Sequence, residues 1–379
     1  MTTTINNEHK KINVPNLRFP EFEGEWEEER LADIADLYKG TGISKVQLSD
    51  NGEPCILYGE LYTKYKSETI REVISKTNID NTKLVRSKAN DVIIPCSGET
   101  AEDIATASCV LNDNILLGGD LNIIRLHGSD GAFMSYQLNG KRKYDIAKIA
   151  QGVSVVHLYG EHLKGVKTIN PCLEEQKKIA SLLALLDERI STQNKIIDKL
   201  QSLIKGISKQ LLMNNQNWRT VKIGELLRIG NGKDYKHLGI GKIPVYGTGG
   251  QMLLVNDYLY DGESVCIGRK GTIDTPMFLT GKFWTVDTLF YTYDFKDVLP
   301  KFCYYLFLQI NWKLYNEGTG VPSLSKSTIE NIKVKIPSIE HQHNICSVLD
   351  CYEHKTKSEE QILELYLSEK QYLLRQMFI

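Results

Sequence analysis

The chain has 379 residues, of which 41% are hydrophobic and 25% charged, a globular composition and a length that suits two domains. It has no apolar run near the ~20 residues of a membrane span, and its opening MTTTINNEHKK is too polar for a secretory signal. We therefore expect a cytoplasmic protein that does not bind membranes. The eight cysteines lack paired spacing, which predicts reduced residues, and the net charge of −1 means that nucleic-acid binding would need clustered basic residues or a basic partner.

A mixed α/β globule is predicted at residues 18–170, after an N-terminal tail at residues 1–17. It begins near Trp26 and continues through short β-rich runs, such as ANDVIIPCSGET and NILLGGDLNIIRL, that glycine turns separate. A helix rich in tyrosine and leucine is expected from Met134 to Ala150. The loop from Ser97 to Asp103 should lie at the rim of the sheet, where binding residues are common.

A long helix is predicted at residues 171–215. Pro171 favours a helix start, and Glu174 lies in the first turn, where the helix dipole favours negative charge. Apolar residues then recur in alternating steps of four and three for about five heptads, interrupted only by Gln193. This seam predicts a coiled coil whose core residues are Ile179, Leu183, Leu186, Ile190, Ile197, Leu200, Ile204, Ile207 and Leu211.

A second α/β globule is predicted at residues 216–336, beginning near Trp218, with the β-rich runs KIPVYGTGGQMLLV, ESVCIGRKGTID and FWTVDTLFYTY and a helix around residues 301–316. A second long helix follows at residues 337–379. Its seam is weaker, because polar residues fall on it, and its expected core residues are Ile345, Leu349, Leu363 and Leu373.

Two imperfect seams of equal length in one chain most simply pair with each other. A helix of roughly 40 residues is about 60 Å long, so a paired rod could hold the globules apart. The alternative is that each helix packs on its own globule.

The second half of the sequence repeats the first at a displacement of 166 positions. Residues 151–183 align without a gap with residues 317–349, and the identities include Gly152 with Gly318. The stretches from each tryptophan to each of these glycines differ by 26 residues, so the globules vary while the segment after them is constant. A duplicated scaffold predicts a molecule that performs one task twice.

The sequence lacks the common catalytic motifs. The glycines before Lys233 do not have the spacing of a phosphate-binding loop, and there is no Asn-Pro-Pro-Tyr motif, nucleophile elbow or H-E-x-x-H helix. The histidines and cysteines from His341 to His354 fall on a predicted helix at irregular spacing, so we expect no metal site. These observations favour a binding protein. The alternatives are a duplicated nuclease or methyltransferase with degenerate motifs, and a structural coiled-coil adaptor.

The candidate DNA-binding residues are polar, basic or aromatic and lie on loops. Arginine can contact O6 and N7 of guanine, aspartate or glutamate can accept from N4 of cytosine, and serine or lysine can position a phosphate. In the first half they are Tyr58, Glu60, Ser97, Glu99, Thr100, Asp103 and Ser154. In the second half they are Lys233, Tyr246, Thr248, Arg269, Lys270, Thr285, Thr288, Ser323 and Lys326. The competing interpretations are solvated surface charge for the basic residues and helix capping for the serines.

The opening NVPNLRFPEFEGEWEEERL, the two G-x-x-x-x-x-L segments leading to P-x-x-E-x-Q-x-x-I, and the long helices after them resemble the specificity subunit of a type I restriction–modification enzyme. The similarity covers nearly the whole chain in order. It implies an α+β fold with a pseudo-two-fold repeat, in which two mixed α/β target-recognition globules are joined by two long helices forming an antiparallel coiled coil.

The resemblance also implies a chain without catalysis. Each target-recognition domain would bind one half of a split site in double-stranded DNA, and the coiled coil would set the spacing. Two modification (methyltransferase) subunits would dock near Glu174, Gln176, Glu340 and Gln342 and bring S-adenosylmethionine, while restriction (endonuclease) subunits would bring ATP and magnesium. The chain itself would hold no cofactor.

Overall fold

The computed structural model describes residues 13–65, 67–80, 82–152, 155–213 and 218–379. The chain divides into two compact units. The first unit comprises residues 1–194 and 362–379, and the second comprises residues 195–361. Each unit therefore contains one globule together with a part of both long helices.

The first globule consists of short strands and helices. The strands are β1 Glu27–Arg30, β2 Ala35–Lys39, β3 Leu48–Ser49, β4 Glu53–Ile56, β5 Thr69–Ile70, β6 Lys76–Thr77, β7 Asp91–Pro95, β8 Ser97–Gly98, β9 Ser108–Val110, β10 Leu116–Leu117, β11 Leu121–Leu126, β12 Val156–His157 and β13 Lys167–Asn170. The helices are α1 Leu31–Ile34, α2 Glu60–Thr63, α3 Ala101–Ile104, α4 Gly131–Asn139, α5 Lys143–Ile149 and α6 Gly160–Leu163.

The long helix α7 Leu173–Met213 leads to the second globule, and the long helix α11 Ile339–Gln376 follows it. The strands of the second globule are β14 Arg219–Lys222, β15 Arg228–Asn231, β16 Ile240–Gly247, β17 Gly250–Val255, β18 Tyr260–Asp261, β19 Ser264–Gly268, β20 Met277–Leu279, β21 Lys282–Thr285, β22 Leu289–Tyr293 and β23 Lys333–Ile336. Its helices are α8 Ile223–Leu226, α9 Pro300–Gln309 and α10 Lys326–Asn331.

The two globules share a sheet topology. The main sheet has the order β2-β11-β7-β9-β5 in the first globule and β15-β22-β19-β20 in the second. The strands β7 and β19 are buried at every residue, as expected for short continuous apolar runs. A second sheet has the order β10-β4-β6-β3 or β17-β16-β21-β18, and each contains one parallel pair, β10 with β4 and β21 with β16. The repeat thus extends to the topology of four strands of the main sheet, to which the first globule adds β5 at one edge.

In each globule the first strand pairs with the last. Strand β1 is antiparallel to β13, and β14 is antiparallel to β23. In β23 the lysines are exposed and Val334 and Ile336 are buried, which is the alternation of a strand with one buried face. This pairing brings the two ends of each globule together at the start of the long helix that follows.

The glycines shared by the two halves are required by the backbone. A Cβ atom on Gly152 would lie 2.1 Å from the carbonyl oxygen of Val155, and one on Gly318 would lie 2.1 Å from that of Val321. Gly152 also has a φ of +125°, which side chains rarely allow. The same close approach of a carbonyl oxygen therefore requires glycine at both positions.

The residues predicted to form the seam of α7 are shielded from solvent. All of the seam positions from Ile179 to Leu211 are buried or half-buried, including Gln193, whereas most residues between them are exposed. On α11 the same spacing continues from Ile345 through Thr356, Glu359 and Lys370 to Leu373, and Met377 just after the helix follows it. Gln193 and Glu359 are related by the 166-residue displacement, and both are buried.

The helices pair in opposite directions. In the first unit, Ile179 and Leu183 near the start of α7 share a core cluster with Met377 and Phe378 at the chain end. In the second unit, residues near the end of α7 pack with Ile345 and Leu349 near the start of α11. The start of each helix therefore lies against the end of the other.

Each long helix also contacts a globule, as the alternative interpretation anticipated. Tyr136 on α4 donates a 2.6 Å hydrogen bond to Asp187 on α7, and Tyr305 on α9 donates a 2.6 Å bond to Asp350 on α11. The long helices are thus both partners in a coiled coil and supports for the globules.

Candidate nucleic-acid interface

In the second globule, a network of backbone hydrogen bonds brings three loops together. The amide of Lys233 donates to the carbonyl oxygen of Thr285 (2.8 Å), the amide of Arg269 donates to Thr288 (2.8 Å), and the amide of Leu324 donates to Arg269 (2.9 Å). We call these bonds and their counterparts in the first globule the backbone frame. The frame gathers Lys233, Arg269 and Thr288, which are far apart in sequence, at one end of the sheet.

The first globule contains the same frame. The amide of Thr41 donates to Leu117 (3.2 Å), the amide of Cys96 donates to Asp120 (2.7 Å), and the amide of Leu158 donates to Cys96 (2.8 Å). Each bond has one counterpart in the second globule. Thr41 therefore corresponds to Lys233, Cys96 to Arg269, and Asp120 to Thr288.

Glycine permits one close approach in both frames. A Cβ atom on Gly40 would lie 2.0 Å from the carbonyl oxygen of Gly118, and a Cβ on Gly232 would lie 1.8 Å from that of Val286. The next residues along the chain are Thr41 and Lys233, so these glycines hold the loop that presents them.

The segment repeated in both halves, residues 151–183 and 317–349, joins the frame at a third point. Ser97 pairs with His157 in the β8–β12 ladder, and Lys270 forms the equivalent bridge with Ser323. His157 and Ser323 are separated by the same 166 positions as the sequence repeat. Ser97 thus corresponds to Lys270.

The two globules differ in the charge of their side chains. Residues 18–170 include 18 lysines and arginines and 23 aspartates and glutamates, whereas residues 216–336 include 15 and 11. At the position of the exposed Arg269, the first globule has Cys96, and burial raises the pKa of its thiol to about 11, so it is uncharged at neutral pH. Two similar backbones therefore present chemically different surfaces.

Most of the predicted residues of the second globule lie together and are accessible. Lys233, Arg269 and Lys270 are exposed, and the half-buried Tyr246, Thr248 and Thr288 lie beside them. Thr285 differs from the prediction. Its side chain is fully buried on β21, and its hydroxyl has no hydrogen-bond partner within the described residues, so it cannot reach a base from this position.

Two serines of the repeated segment in the second half, Ser323 and Ser325, differ in their roles, which were predicted to be phosphate positioning or helix capping. Ser325 caps α10, because its hydroxyl accepts from the amide of Thr328 (3.2 Å). Hydrogen bonds from Thr328 and Ser325 also hold the pKa of Glu317 below its usual range. Ser323 is half-buried beside Lys270, while the ammonium of Lys326 donates to the carbonyl oxygen of Ile229 (2.7 Å). Lys326 is therefore partly committed to the fold.

In the first globule, one predicted residue is placed differently from the expectation. Glu60 is buried, and its carboxylate binds the ammonium of Lys64 (2.7 Å), the hydroxyl of Ser75 and the amide of Leu57 (3.0 Å). These three contacts leave it no role in base recognition. Its neighbour Tyr58 is exposed and lines a cleft of about 900 Å³.

The other candidates of the first globule are accessible. Ser97 is half-buried, with its hydroxyl 3.5 Å from Nδ1 of His157, and Glu99 is exposed. Thr100 caps α3 by accepting from the amide of Asp103 (3.0 Å) and donates to its carboxylate (2.6 Å). Ser154 lies outside the residues that the structure describes.

The four predicted subunit-interface residues fall into two groups. Gln176 and Gln342 are buried, and their amides tie the long helices to their own globules. Gln176 accepts from the amide of Asp130 (2.9 Å), and Gln342 accepts from that of Leu299 (2.8 Å). A buried side chain has no surface to offer another protein, which corrects the interface prediction for both glutamines. Glu174 and Glu340 are exposed at the helix starts.

Asp120 and His157 were missed in the sequence. Asp120 follows a glycine pair in LLGGD, a pattern that indicates a turn without indicating what the turn faces. The repeat could have identified His157, which stands 166 positions before Ser323. Asp120 matches Thr288 only through the structure, in which each residue precedes the leucine that begins an equivalent strand, β11 or β22.

The fold and the site define a protein with two recognition globules on one helical scaffold. The family model described as "Type I restriction modification DNA specificity domain" matches residues 23–202 and 215–365, and the chain therefore belongs to this family. The specificity subunit of the type I restriction enzyme MjaVIII from Methanocaldococcus jannaschii is 25% identical over 407 residues, covering 91% of this chain and 90% of that protein.

Two solved structures share the fold. The S subunit of a type I restriction–modification system from M. genitalium has a TM-score of 0.68 at 17% identity and covers 97% of this chain and 99% of its own. A chain from a study of complex assembly and conformational transition of the type I R-M system has a TM-score of 0.55 at 14% identity, covering 92% and 96%. The predicted family and fold are confirmed.

Within the described residues, no helix is both long and apolar enough to cross a membrane. In the same part of the chain, no group of three or more histidine, cysteine, aspartate or glutamate side chains is arranged to hold a metal ion.

Proposed function

We propose that each globule of this specificity protein binds one half of a split site in double-stranded DNA, and that the paired helices set the distance between the halves. The observation that carries this proposal is the duplicated backbone frame with different side chains. A repeated frame supports the same docking geometry on DNA twice, and different side chains support the recognition of two different base sequences.

The second globule supplies the clearer chemistry. The exposed guanidinium of Arg269 is free to make a bidentate contact with guanine, and Lys233 and Lys270 lie close enough in the frame to hold the flanking phosphates. The first globule has more acidic than basic residues, so its affinity for DNA must come largely from a partner.

We assign that contribution to two modification subunits, which dock on the outer faces of the helices. Two pairs of equivalent residues support this assignment, since Leu182 corresponds to Val348 and Ile196 to Ile362, and all four are at least 36% exposed on helices whose seams are already filled. Glu174 and Glu340 lie on the same helices at equivalent, exposed positions. A repeated exposed apolar surface suits two copies of one partner.

In this proposal the chain is a cytoplasmic, non-catalytic subunit that holds no cofactor. The modification subunits supply S-adenosylmethionine, and the restriction subunits supply ATP-dependent cleavage with magnesium. The alternative of a duplicated enzyme predicts methyl transfer or DNA cutting by the purified chain alone, and the adaptor alternative predicts no salt-dependent DNA binding even with modification subunits present.

The test is to express the chain with its modification subunits and to map methylated sites by single-molecule sequencing, for the wild type and for Arg269→Ala. We expect Arg269→Ala to relax the sequence at one position of one half-site, by about 1–3 kcal/mol of discrimination. Arg228→Ala is the matched control, because Arg228 is exposed on the same globule at the start of β15. An unchanged motif in Arg269→Ala would remove Arg269 from the interface.

A further inference from the structure

We propose that Asp120 recognises a cytosine in the half-site bound by the first globule. The inference rests on the proposed function, because it takes the backbone frame to face DNA. It assigns to the first globule a specificity residue that lies outside all of its predicted candidates.

The position of Asp120 is fixed by the frame. Its carbonyl oxygen accepts from the amide of Cys96, as that of Thr288 accepts from the amide of Arg269. Asp120 therefore stands where the second globule has a threonine beside its exposed arginine. Both residues are half-buried.

The backbone of Asp120 is unusual. Its φ is +59°, in the left-handed region, directly after Gly118 and Gly119. Aspartate tolerates this region better than most residues, yet glycine would adopt it at a lower energetic cost. The turn alone therefore does not account for a side chain here, and strained residues of this kind cluster at binding sites.

The carboxylate of Asp120 makes no hydrogen bond or ion pair within the residues that the structure describes. In contrast, Glu60 is held by Lys64, Asp103 by Thr100, and Asp91 by Arg125. Among these acids of the first globule, only Asp120 keeps its acceptor capacity for a ligand.

Asp120 also borders two cavities. The larger, about 900 Å³, is lined by Lys45 and Tyr58 among others, and the smaller, about 280 Å³, is lined by Lys39 and His157 among others. Asp120 thus borders two hollows, and each contains a lysine, an arrangement that suits contacts with the phosphates on either side of a base.

The chemistry of a free carboxylate selects the base. It accepts hydrogen bonds only and carries negative charge, so it repels phosphates and the acceptor atoms O6 and N7 of guanine. In the major groove, adenine presents its N6 donor beside the acceptor N7, whereas cytosine presents its N4 donor without an acceptor of its own. Cytosine is therefore the base that suits Asp120.

The test uses the full chain with its modification subunits and the mapping of methylated sites. The variants are Asp120→Asn, which keeps the size and the tolerance of positive φ, and Asp120→Gly, which relieves the backbone. Asp50→Asn is the control, because Asp50 is an exposed acid of the same globule, between β3 and β4, whose side chain makes no hydrogen bond or ion pair in the part of the chain that the structure describes. Arg269→Ala identifies which half-site belongs to the second globule.

We expect the other half-site of the wild type to contain a fixed cytosine. Both Asp120 variants should reduce the preference for it by about 5- to 150-fold, equivalent to 1–3 kcal/mol, while the half-site of the second globule and the Asp50→Asn motif stay unchanged. Unchanged motifs in the Asp120 variants, together with an altered motif in Arg269→Ala, overturn this inference alone.

Three further results are decisive. If both Asp120 variants fail to assemble, or if both half-sites change together, the residue is structural and the inference is overturned. If the wild type methylates no split motif, the proposed function fails, whatever Asp120 does.

Discussion

The ion-pair network around Lys370 gives a direct test of helix pairing in the first unit. The ammonium of Lys370 on α11 lies 2.7 Å from the carboxylate of Asp187 on α7 and 2.6 Å from that of Glu68 in the globule, and Tyr136 donates to Asp187. Lys370→Met removes the charge and keeps the apolar stem. It leaves two carboxylates facing each other with no cation between them.

The cost follows from the burial of these groups. Removing one partner of a buried ion pair typically destabilises a protein by about 3–5 kcal/mol. The side chains of Lys370, Glu68 and Asp187 are 16%, 12% and 11% exposed. Because water still reaches them in part, we expect a loss at the lower end of that range, about 3 kcal/mol. At about 2–4 °C per kcal/mol for 150–250 residues, the melting temperature of the first unit should fall by about 6–12 °C.

The loss should depend on pH. Burial raises the pKa of Glu68, and the charge of Lys370 partly offsets this rise. Without Lys370 the pKa rises further, so the folded state binds a proton more tightly than the unfolded state does. The deficit relative to the wild type should therefore be largest at pH 7 and shrink as the pH falls to about 4.5, the ordinary pKa of a glutamate, because Glu68 with its raised pKa takes up a proton above that pH.

The measurement is calorimetric unfolding at both pH values, with hydrogen exchange of peptides from Ile179 to Ile190 to localise the loss. Lys177→Met is the control, because Lys177 is exposed on α7, the helix that carries Asp187, and makes no side-chain hydrogen bond or ion pair within the described residues. A Lys370→Met protein as stable as the wild type at pH 7, or a deficit that is the same at both pH values, would refute the reasoning.

Three other changes probe the frame and the rod. Gly232→Ala should destabilise the second globule by about 1–3 kcal/mol in urea unfolding, because the new methyl group would meet the carbonyl oxygen of Val286, and an unchanged midpoint would contradict this. Glu60→Gln should cost about 1.5–3 kcal/mol yet leave the methylation motif intact, whereas an altered motif would return Glu60 to the DNA interface. Deleting residues 194–200 together with 360–366 removes one heptad, about 10 Å, from each helix. The gap between the half-sites should then shorten by about three base pairs, or the complex should fail to assemble. An intact complex with the original gap would mean that the helices do not set the distance.

The helices were the most predictable part of the fold. Their seams depend on local periodicity, and the 166-residue displacement even maps the polar positions Gln193 and Glu359 onto each other. The glycines of the repeat were equally predictive, because a backbone clash such as that at Gly152 admits no other residue cheaply.

The loop site was less predictable, because burial depends on contacts distant in sequence. Glu60 has a carboxylate that could accept from a base, but the hydroxyl of Ser75, 15 residues further along the chain, donates to it in the interior of the globule. Gln176 was assigned to a partner interface, although its amide is used by Asp130. Asp120 became visible only when the hydrogen bonds of Cys96 and Arg269 were compared, since sequence alone gives these loops no alignment.

The most direct test of the central claim is the methylation pattern that the wild-type chain directs with its modification subunits. If the paired helices separate the two globules as proposed, their length of about 60 Å predicts a split, asymmetric motif whose two parts are separated by a fixed stretch of unspecified bases, at most about 17 base pairs long. A single continuous motif, or a gap that varies from site to site, would contradict the claim that two globules bind separate stretches of DNA at a fixed distance.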